Sequence, residues 1–304
     1  MPWKRAADFA VYLVVRLVVC IVQTVRIETG QSAARFLAWL CADLLRIRGR
    51  VVDDNLLHAF PDLSERERRA LARRMWEHLI LMIFEIAHAS RKIHQTNWRE
   101  YIQLQGHQVL VRLLVEDRPT LITTAHFGNF ELAGYVVGLL GFKSHTVART
   151  LDNPYLDRFV NKFRSATGQY MIPKNGGYDQ IEAVLSHSGL MCFLADQYAG
   201  PKGCWVQFFG RPASAHKAIG LLALEHSAPV VVSFARRLDK PLHFLLATSA
   251  VADPRAGGPE FASLKALTQW YSSRLEELIR TAPDQYWWLH RRWPWITTRS
   301  SEGL

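Results

Sequence analysis

A histidine and a glutamate stand five positions apart in the segment TAHFGNFELAG at residues 124–134. His126 follows an apolar run, and a Gly-Asn pair separates it from Glu131. A histidine held by a carboxylate can remove a proton from a substrate hydroxyl, because the carboxylate fixes the ring tautomer and stabilises the imidazolium. The alternative is a buried histidine with ordinary hydrogen bonds and a first-turn glutamate that favours the helix dipole. Spacing alone leaves both interpretations open.

The Gly-Asn pair determines whether the two side chains can meet. Five residues on a continuous α-helix correspond to about 140° of rotation, which would place His126 and Glu131 on different faces. If Asn129 caps the helix, however, His126 lies in the preceding loop and Glu131 in the first turn. A loop at this point can bring the carboxylate to one imidazole nitrogen and leave the other nitrogen facing a substrate.

The surrounding sequence predicts an α/β fold with a mainly parallel central sheet flanked by helices. β-branched runs at residues 119–125 and 228–237 alternate with helical patterns of about ten residues. Further predicted strands are 144–149, 169–173, 189–196 and 242–249. Residues 6–48 are predicted to be helical with an interruption near Thr29-Gly30, Ser64 and Glu67 predict a capping box at the start of a helix, and another helix is predicted to begin at Ala215. Ligands of such sheets collect at the carboxyl ends of the strands, and His126 directly follows one.

The N-terminal region differs in character and predicts contact with a membrane. Residues 6–25 are almost wholly apolar, and their length fits a span of roughly 20 residues. Arg16 near the centre would cost about 2.5–3.5 kcal/mol in a membrane, so a helix lying in the interface fits as well as a span. A buried core helix is the third interpretation. We predict a membrane-associated helical region over residues 1–105 and a catalytic domain over residues 106–304.

The bulk composition favours anionic partners and a reducing compartment. The chain has 304 residues and a formal net charge of +10, which suits an acidic lipid surface or nucleic acid. Its four cysteines form no CxxC pair and no cluster with zinc spacing. We find no GxSxG or HExxH motif, no P-loop and no dinucleotide fingerprint. If His126 is a base, it must therefore activate the nucleophile of the substrate itself.

Short blocks of residues carry a resemblance to a known family. They read NLLHAFP at 55–61, HFGNFE at 126–131, RTLDNP at 149–154, LADQ at 194–197, FFGRPA at 208–213 and WLHRRW at 288–293. With these blocks in this order, the chain resembles the lysophospholipid acyltransferase superfamily, and more closely the bacterial lipid A late acyltransferases. His126 and Glu131 match the H-x4-[D/E] motif of that superfamily. Ala195 stands where the family usually has proline.

The resemblance implies a glycerolipid acyltransferase-like fold and an O-acyltransferase activity. The acyl chain would pass from acyl carrier protein, or coenzyme A, to a hydroxyl of an anionic glycolipid such as a lipid A precursor. No resident cofactor, no metal and no covalent acyl-enzyme are expected. The enzyme would work at the bacterial inner membrane, with its catalytic domain on the cytoplasmic face. Other acceptors within the same superfamily are phosphatidylinositol mannosides, ornithine-type lipids and lysophospholipids.

The resemblance also gives individual residues a role. His126 would take the proton from the acceptor hydroxyl, and Glu131 would hold His126. Arg149 would stabilise the developing charge on the carbonyl oxygen, with backbone N–H groups near Gly128 as the alternative. The other predicted substrate-binding residues are Arg164, Lys174, Asp196, Gln197, Phe209, Gly210 and Arg211. Phe209 and its neighbours could instead form a plain hydrophobic corner.

The C-terminal segment also allows the chain to be interpreted as a nucleic-acid-binding protein. The segment YWWLHRRWPW at 286–295 combines aromatic and basic residues, so it could lie at a membrane boundary or stack on single-stranded nucleic acid. A basic nucleic-acid-binding protein, however, leaves the apolar N-terminal helix unexplained and has no use for His126. An inactive membrane adaptor is disfavoured, because both His126 and Glu131 are present.

Overall fold

The computed structural model describes residues 2–294 and shows a mixed α/β fold. The helices are α1 Pro2–Thr24, α2 Ile27–Trp39, α3 Gly49–Ala59, α4 Glu65–Lys92, α5 His107–Val115, α6 Phe130–Leu139, α7 Pro154–Ser165, α8 Tyr178–Ser186, α9 Ala218–Glu225 and α10 Leu264–Thr281. The strands are β1 Ile102–Gln105, β2 Thr120–Thr124, β3 Ser144–Ala148, β4 Gln169–Pro173, β5 Leu190–Leu194, β6 Cys204–Phe208, β7 Arg211–Ala215, β8 Val230–Arg237 and β9 Phe244–Ala252. A π-helical turn, Leu40–Leu44, continues α2.

Seven strands form the central sheet in the order β1-β9-β8-β2-β5-β3-β4. All neighbouring pairs are parallel except β8 and β9. The central strand β2 pairs with β5 on one side and β8 on the other, so its carboxyl end lies in the middle of the sheet edge. The predicted mainly parallel α/β sheet is confirmed.

Helices cover both faces of the sheet, as the continuous apolar strands require. Leu121 and Ile122 point to opposite faces of β2 and belong to different hydrophobic clusters. The cluster of Leu121 includes residues of α3, α4, α9 and α10, whereas Ile122 packs with Leu113 of α5 and Val137 of α6. The N-terminal helices α3 and α4 therefore share a core with the sheet.

Local signals placed several helix ends correctly. The Ser64 hydroxyl accepts from the Glu67 N–H and the Glu67 carboxylate accepts from the Ser64 N–H, which is the predicted capping box. Asn129 caps α6 through its side-chain oxygen, which accepts from the N–H of Leu132. His126 thus lies in a loop and Glu131 in the first helical turn, as predicted.

Two parts of the predicted secondary structure are wrong. The long N-terminal helix breaks between Thr24 and Ile27, not near Thr29-Gly30. Residues 211–215 form the second strand of an antiparallel hairpin with β6, although Ala215 was predicted to begin a helix. The hairpin packs against α10, and such tertiary contacts outweigh the local preference of small residues.

The C-terminal aromatic stretch is part of the core. Tyr286, Trp288 and Trp293 are at most 5% exposed, and Arg292 is 3% exposed. This burial contradicts the interpretation of the stretch as a surface for lipid headgroups or nucleic acid bases. Trp295 lies outside the described residues.

The helix α1 is exposed along most of its length. It is the one helix among residues 2–294 that is long and apolar enough to cross a membrane, judged by length and composition. Its inner side meets α7, where the Asn153 side chain donates to the Asp8 carbonyl at 2.8 Å. Phe9 contacts Tyr155 at a ring-centroid distance of 5.2 Å. The apolar helix is therefore docked beside the loop that joins β3 to α7.

Candidate active site

The central pair of the site is His126 and Asp196. Both follow the carboxyl ends of adjacent parallel strands, β2 and β5, and the Ala195 N–H donates to the Thr124 carbonyl at 2.8 Å. The His126 Nδ1 lies 2.8 Å from one Asp196 oxygen, and the His126 backbone N–H donates to the other at 3.1 Å. The sheet register therefore brings together two side chains that are 70 positions apart in sequence.

The electrostatics of this pair assign the protons. Burial alone would raise the pKa of Asp196, but the charge of His126 and its hydrogen bonds outweigh burial and lower that pKa to about 2. Burial lowers the pKa of His126, but the charge and hydrogen bond of Asp196 raise it above its ordinary value of 6.5, with a smaller contribution from Glu131. The ionised Asp196 accepts a hydrogen bond from the N–H at Nδ1. Neutral His126 therefore carries its free lone pair on Nε2.

Glu131 has a different partner from the one predicted. Both of its oxygens accept from Arg164, at 2.9 Å from Nε and 2.5 Å from Nη2. The prediction that Glu131 holds His126 is wrong, because Asp196 occupies that position. Glu131 acts on His126 through its charge, and its bidentate pair with Arg164 joins the first turn of α6 to α7.

The backbone of the loop at residues 126–129 is held by hydrogen bonds to the protein. The Gly128 N–H donates to the Gln285 carbonyl at 2.8 Å, and the Asn129 N–H donates to the Ala235 carbonyl at 2.8 Å. Gly128 has a φ of +59°, and a Cβ there would collide with the Ala235 carbonyl, so only glycine fits. The Gly128 and Asn129 N–H groups are thus engaged within the protein, and the predicted alternative of a backbone oxyanion donor near Gly128 receives no support from them.

A buried network of charged residues also holds the loop at residues 126–129. Glu85 is 0% exposed, and Arg237 donates to both of its oxygens at 2.6 Å. Asn129 donates to Glu85 at 3.1 Å, and His78 Nε2 lies 3.1 Å from the Gly128 carbonyl. Burial and the Arg237 charge lower the pKa of His78 well below 6.5, so the neutral ring donates to Gly128 and accepts from Arg237. Helix α4 is thereby attached to the loop at residues 126–129.

His126 lines a largely apolar cavity of about 690 Å³. Ala133, Gly134 and Val137 of α6 and Leu110 and Leu114 of α5 also line it. Its polar lining near His126 comprises Glu131, Arg149, Arg164, Lys174, Gln197 and His216. The shape combines a charged mouth with an apolar interior, which suits a molecule with a polar head and a hydrocarbon chain.

The structure separates the predicted binding residues into three groups. Arg164 and Gln197 line the cavity, and Asp196 is hydrogen-bonded to His126. Arg149 and Lys174 are exposed at the cavity mouth, and Arg149 forms an ion pair with Asp152 at 2.7 Å. Phe209, Gly210 and Arg211 lie in the β6–β7 hairpin, outside the cavity lining.

The β6–β7 hairpin lies away from the cavity because its Phe209 side chain is buried among other aromatic residues. Phe209 is 5% exposed and packs against Phe60, Trp288 and Trp293, so it forms the hydrophobic corner that was the alternative. The geometry gives no support to a substrate contact by Phe209, Gly210 or Arg211, and that role stays a prediction.

Some residues that hold the site were not predicted. Glu85 and Arg237 lacked any local motif, although a glutamate inside an apolar helical stripe is a signal that it has a buried partner. Asp196 was predicted only as a binding residue. Its position directly after a strand was the available signal, since ends of adjacent parallel strands meet at one sheet edge.

Comparison with known proteins follows this geometry. The family described as bacterial lipid A biosynthesis acyltransferase matches residues 3–294. The lipid A biosynthesis lauroyltransferase of Escherichia coli (strain K12) is 25% identical over 287 residues, which cover 92% of this chain and 88% of that protein. The lipid A biosynthesis palmitoleoyltransferase of the same organism is 26% identical over 251 residues, covering 82% and 79%.

A solved structure is also similar in part. The 1-acyl-sn-glycerophosphate acyltransferase PlsC from Thermotoga maritima aligns with a TM-score of 0.40 and 12% identity, covering 86% of this chain and 100% of that one.

Proposed function

The chain belongs to the bacterial lipid A biosynthesis acyltransferase family and is an O-acyltransferase, and on this premise we propose how it works and on what. The proposed reaction moves a fatty acyl chain from a thioester donor to a hydroxyl group of a lipid A precursor. The observation that carries this proposal is the His126–Asp196 pair at the charged mouth of an apolar cavity.

His126 is the proposed general base. Its Nε2 takes the proton of the acceptor hydroxyl while the hydroxyl oxygen attacks the thioester carbonyl. The resulting imidazolium is stabilised by the ionised Asp196, which stays hydrogen-bonded to Nδ1. When the tetrahedral intermediate collapses, the C–S bond breaks and the thiolate takes the proton from His126. The products are an ester and a free thiol.

The transfer needs no covalent acyl-enzyme and no resident cofactor in this proposal. A thioester is already an activated acyl group, and thiolate is a good leaving group. The nucleophile belongs to the acceptor, so His126 and Asp196 supply the proton transfer that the reaction requires. Acyl carrier protein or coenzyme A is the proposed source of the acyl chain.

The apolar part of the cavity is the proposed site for the acyl chain. Its walls along α6 and α5 bury the hydrocarbon, and each buried methylene contributes about 0.8 kcal/mol of binding. The cations at the mouth are the proposed contacts of acceptor phosphates, since Arg149 and Lys174 are exposed there. The donor and acceptor would thus meet at His126.

The membrane is the proposed location of the enzyme, with the catalytic domain on the cytoplasmic face of the inner membrane. The exposed apolar side chains of α1 include Leu13, Val14, Leu17, Val18 and Ile21. The same helix contacts the β3–α7 loop through Asp8 and Asn153, and Arg149 of that loop lines the cavity. A lipid acceptor held in the bilayer would therefore reach the mouth over a short path.

Acyl transfer by membranes that contain the protein tests the proposal. Labelled acyl donors, carried by acyl carrier protein or by coenzyme A, are offered with a lipid A precursor, a mannosylated inositol lipid or a lysophospholipid. We expect a labelled product with the lipid A precursor and none from the His126→Ala variant. Product with only another acceptor would refute the lipid A assignment, and undiminished transfer by His126→Ala would refute the base.

A further inference from the structure

We propose that the side-chain amide of Gln197 is the oxyanion donor of the reaction. Its N–H would donate to the carbonyl oxygen of the thioester as the acceptor hydroxyl attacks. This inference rests on the acyl transfer proposed above, and it names the residue that stabilises the negative charge of its tetrahedral intermediate.

The first support is that N–H groups of the loop around His126 are already engaged. In the serine-hydrolase type of site, backbone N–H groups next to the nucleophile bind the oxyanion. Here the N–H groups of His126, Gly128 and Asn129 donate to Asp196, Gln285 and Ala235. Breaking one of these bonds during the reaction would leave a buried carbonyl or carboxylate without its donor. The engagement of these three groups favours a side-chain donor.

The second support is that the two arginines at the cavity are occupied. Arg164 directs Nε and Nη2 at Glu131, so its position is set by that carboxylate. The Arg149 side chain is 77% exposed and is paired with Asp152. A donor that is flexible and hydrated must reorganise when charge develops, and it then stabilises the transition state poorly. Arg149, the donor predicted from the sequence, is thus a poor candidate.

The third support is the position of Gln197 itself. Its Nε2 is 3.4 Å from the His126 Nε2, on the side of the ring that faces the cavity. The reacting carbonyl must lie about 3 Å from both the attacking oxygen and its donor. Since the attacking oxygen is held at His126 Nε2, a donor adjacent to that nitrogen has the required reach.

Buried groups hold the Gln197 backbone in place. The Gln197 carbonyl accepts from Arg292 Nη1 at 3.2 Å, and the Tyr198 N–H donates to His290 Nε2 at 2.9 Å. Arg292 is 3% exposed, and it also donates to the Ser214 carbonyl. The segment WLHRRW therefore serves as a support for the residue that follows Asp196. The side-chain amide of Gln197 therefore extends from a backbone that the protein holds in place beside His126.

The Gln197 amide can donate a hydrogen bond both in the substrate-free enzyme and in the enzyme with substrate bound. Without substrate, the Gln197 N–H points at the lone pair of His126 Nε2. When the acceptor hydroxyl takes that position, the amide is released toward the adjacent carbonyl oxygen. The carboxamide is uncharged and is not a base, so the proton of the acceptor hydroxyl passes to His126 and not to Gln197.

Steady-state acyl transfer by Gln197→Ala and Gln197→Glu tests this assignment. The matched control is Gln180→Ala, since Gln180 is exposed on α8 and lies outside the cavity lining. We expect both Gln197 variants to lose about 10²–10³-fold in kcat, which is typical of one oxyanion donor. For Gln197→Ala, the donor KM should change little, and the pH at which activity falls should stay that of the wild type, because His126 and Asp196 are untouched. Gln197→Glu places a carboxylate beside His126, so the activity of that variant should fall at a higher pH.

An acyl donor in which sulfur replaces the carbonyl oxygen distinguishes an oxyanion-binding role of Gln197 from a structural role. A dithioester accepts hydrogen bonds weakly, so the wild type should lose more rate with it than Gln197→Ala does. Equal losses in both proteins would overturn the assignment, as would a kcat for Gln197→Ala within about threefold of wild type. If His126→Ala loses transfer while Gln197→Ala keeps full activity, the oxyanion assignment of Gln197 is refuted and the proposed function stands. Full activity in His126→Ala would refute the proposed function as well.

Discussion

Replacing Asp196 by asparagine tests which carboxylate serves His126. The ionised Asp196 accepts from Nδ1, and its pKa of about 2 against an ordinary 3.8 corresponds to about 2 kcal/mol of favourable interaction. That interaction is fully present above pH 3.8 and is lost as the pH falls toward 2. An asparagine amide can donate to Nδ1 and so favours the tautomer whose Nε2 carries the proton. The base then has no lone pair for the acceptor hydroxyl.

The expected loss is kinetic and large. A wrong tautomer in the serine protease triad lowers kcat by about 10⁴, and we expect Asp196→Asn to lose about 10³–10⁴-fold here. The pH dependence of the activity is an independent test of whether Asp196 acts on His126. Because Asp196 raises the pKa of His126, the wild type should lose activity as the pH falls through a value above 6.5. Without that charge, the residual activity of the variant should persist to lower pH.

The assay is acyl transfer to the lipid A precursor over a pH series, with urea unfolding of each variant as the stability control. The matched variant is Glu131→Gln, which leaves the Asp196 hydrogen bond intact and should shift the pH profile less. If Asp196→Asn keeps activity within about tenfold of wild type while Glu131→Gln displaces the pH profile more, the assignment of Asp196 is wrong.

Three further predictions concern the loop, the cavity and the membrane surface. Arg237→Met leaves the carboxylate of Glu85 buried without its partner and should lower the free energy of unfolding by about 3–5 kcal/mol in urea; an unchanged midpoint would contradict the network. Val137→Phe narrows the cavity and should slow transfer of a palmitoyl chain more than of a hexanoyl chain; equal slowing would place the chain elsewhere. Val14→Glu with Leu17→Glu should release the protein from vesicles in a flotation assay, whereas high salt should leave the wild type bound. Retention of the double variant would show that α1 does not hold the membrane.

The fold could largely be predicted because its signals are local. The β-branched run before His126 indicated β2, and Ser64 with Glu67 indicated the start of α4. The hairpin of Cys204–Phe208 and Arg211–Ala215 could not be predicted, because its strands are stabilised by packing on α10. The buried C-terminal tryptophans were misplaced for the same reason. Aromatic and basic residues in one stretch do not show whether a core or a lipid surface covers them.

By itself, the sequence determined that His126 follows a strand, that Asn129 caps the next helix and that the family motif is present. These features depend on neighbours within a few residues. Only the tertiary structure decided that Asp196 serves His126, that Glu131 pairs with Arg164 and that Gln197 faces the base. The contacts of Asp196 and Gln197 with His126 depend on β2 and β5 lying side by side, and the Glu131–Arg164 pair depends on α6 lying against α7. In a parallel sheet, the order of strands brings distant chain segments to one edge, and a single sequence does not specify that order.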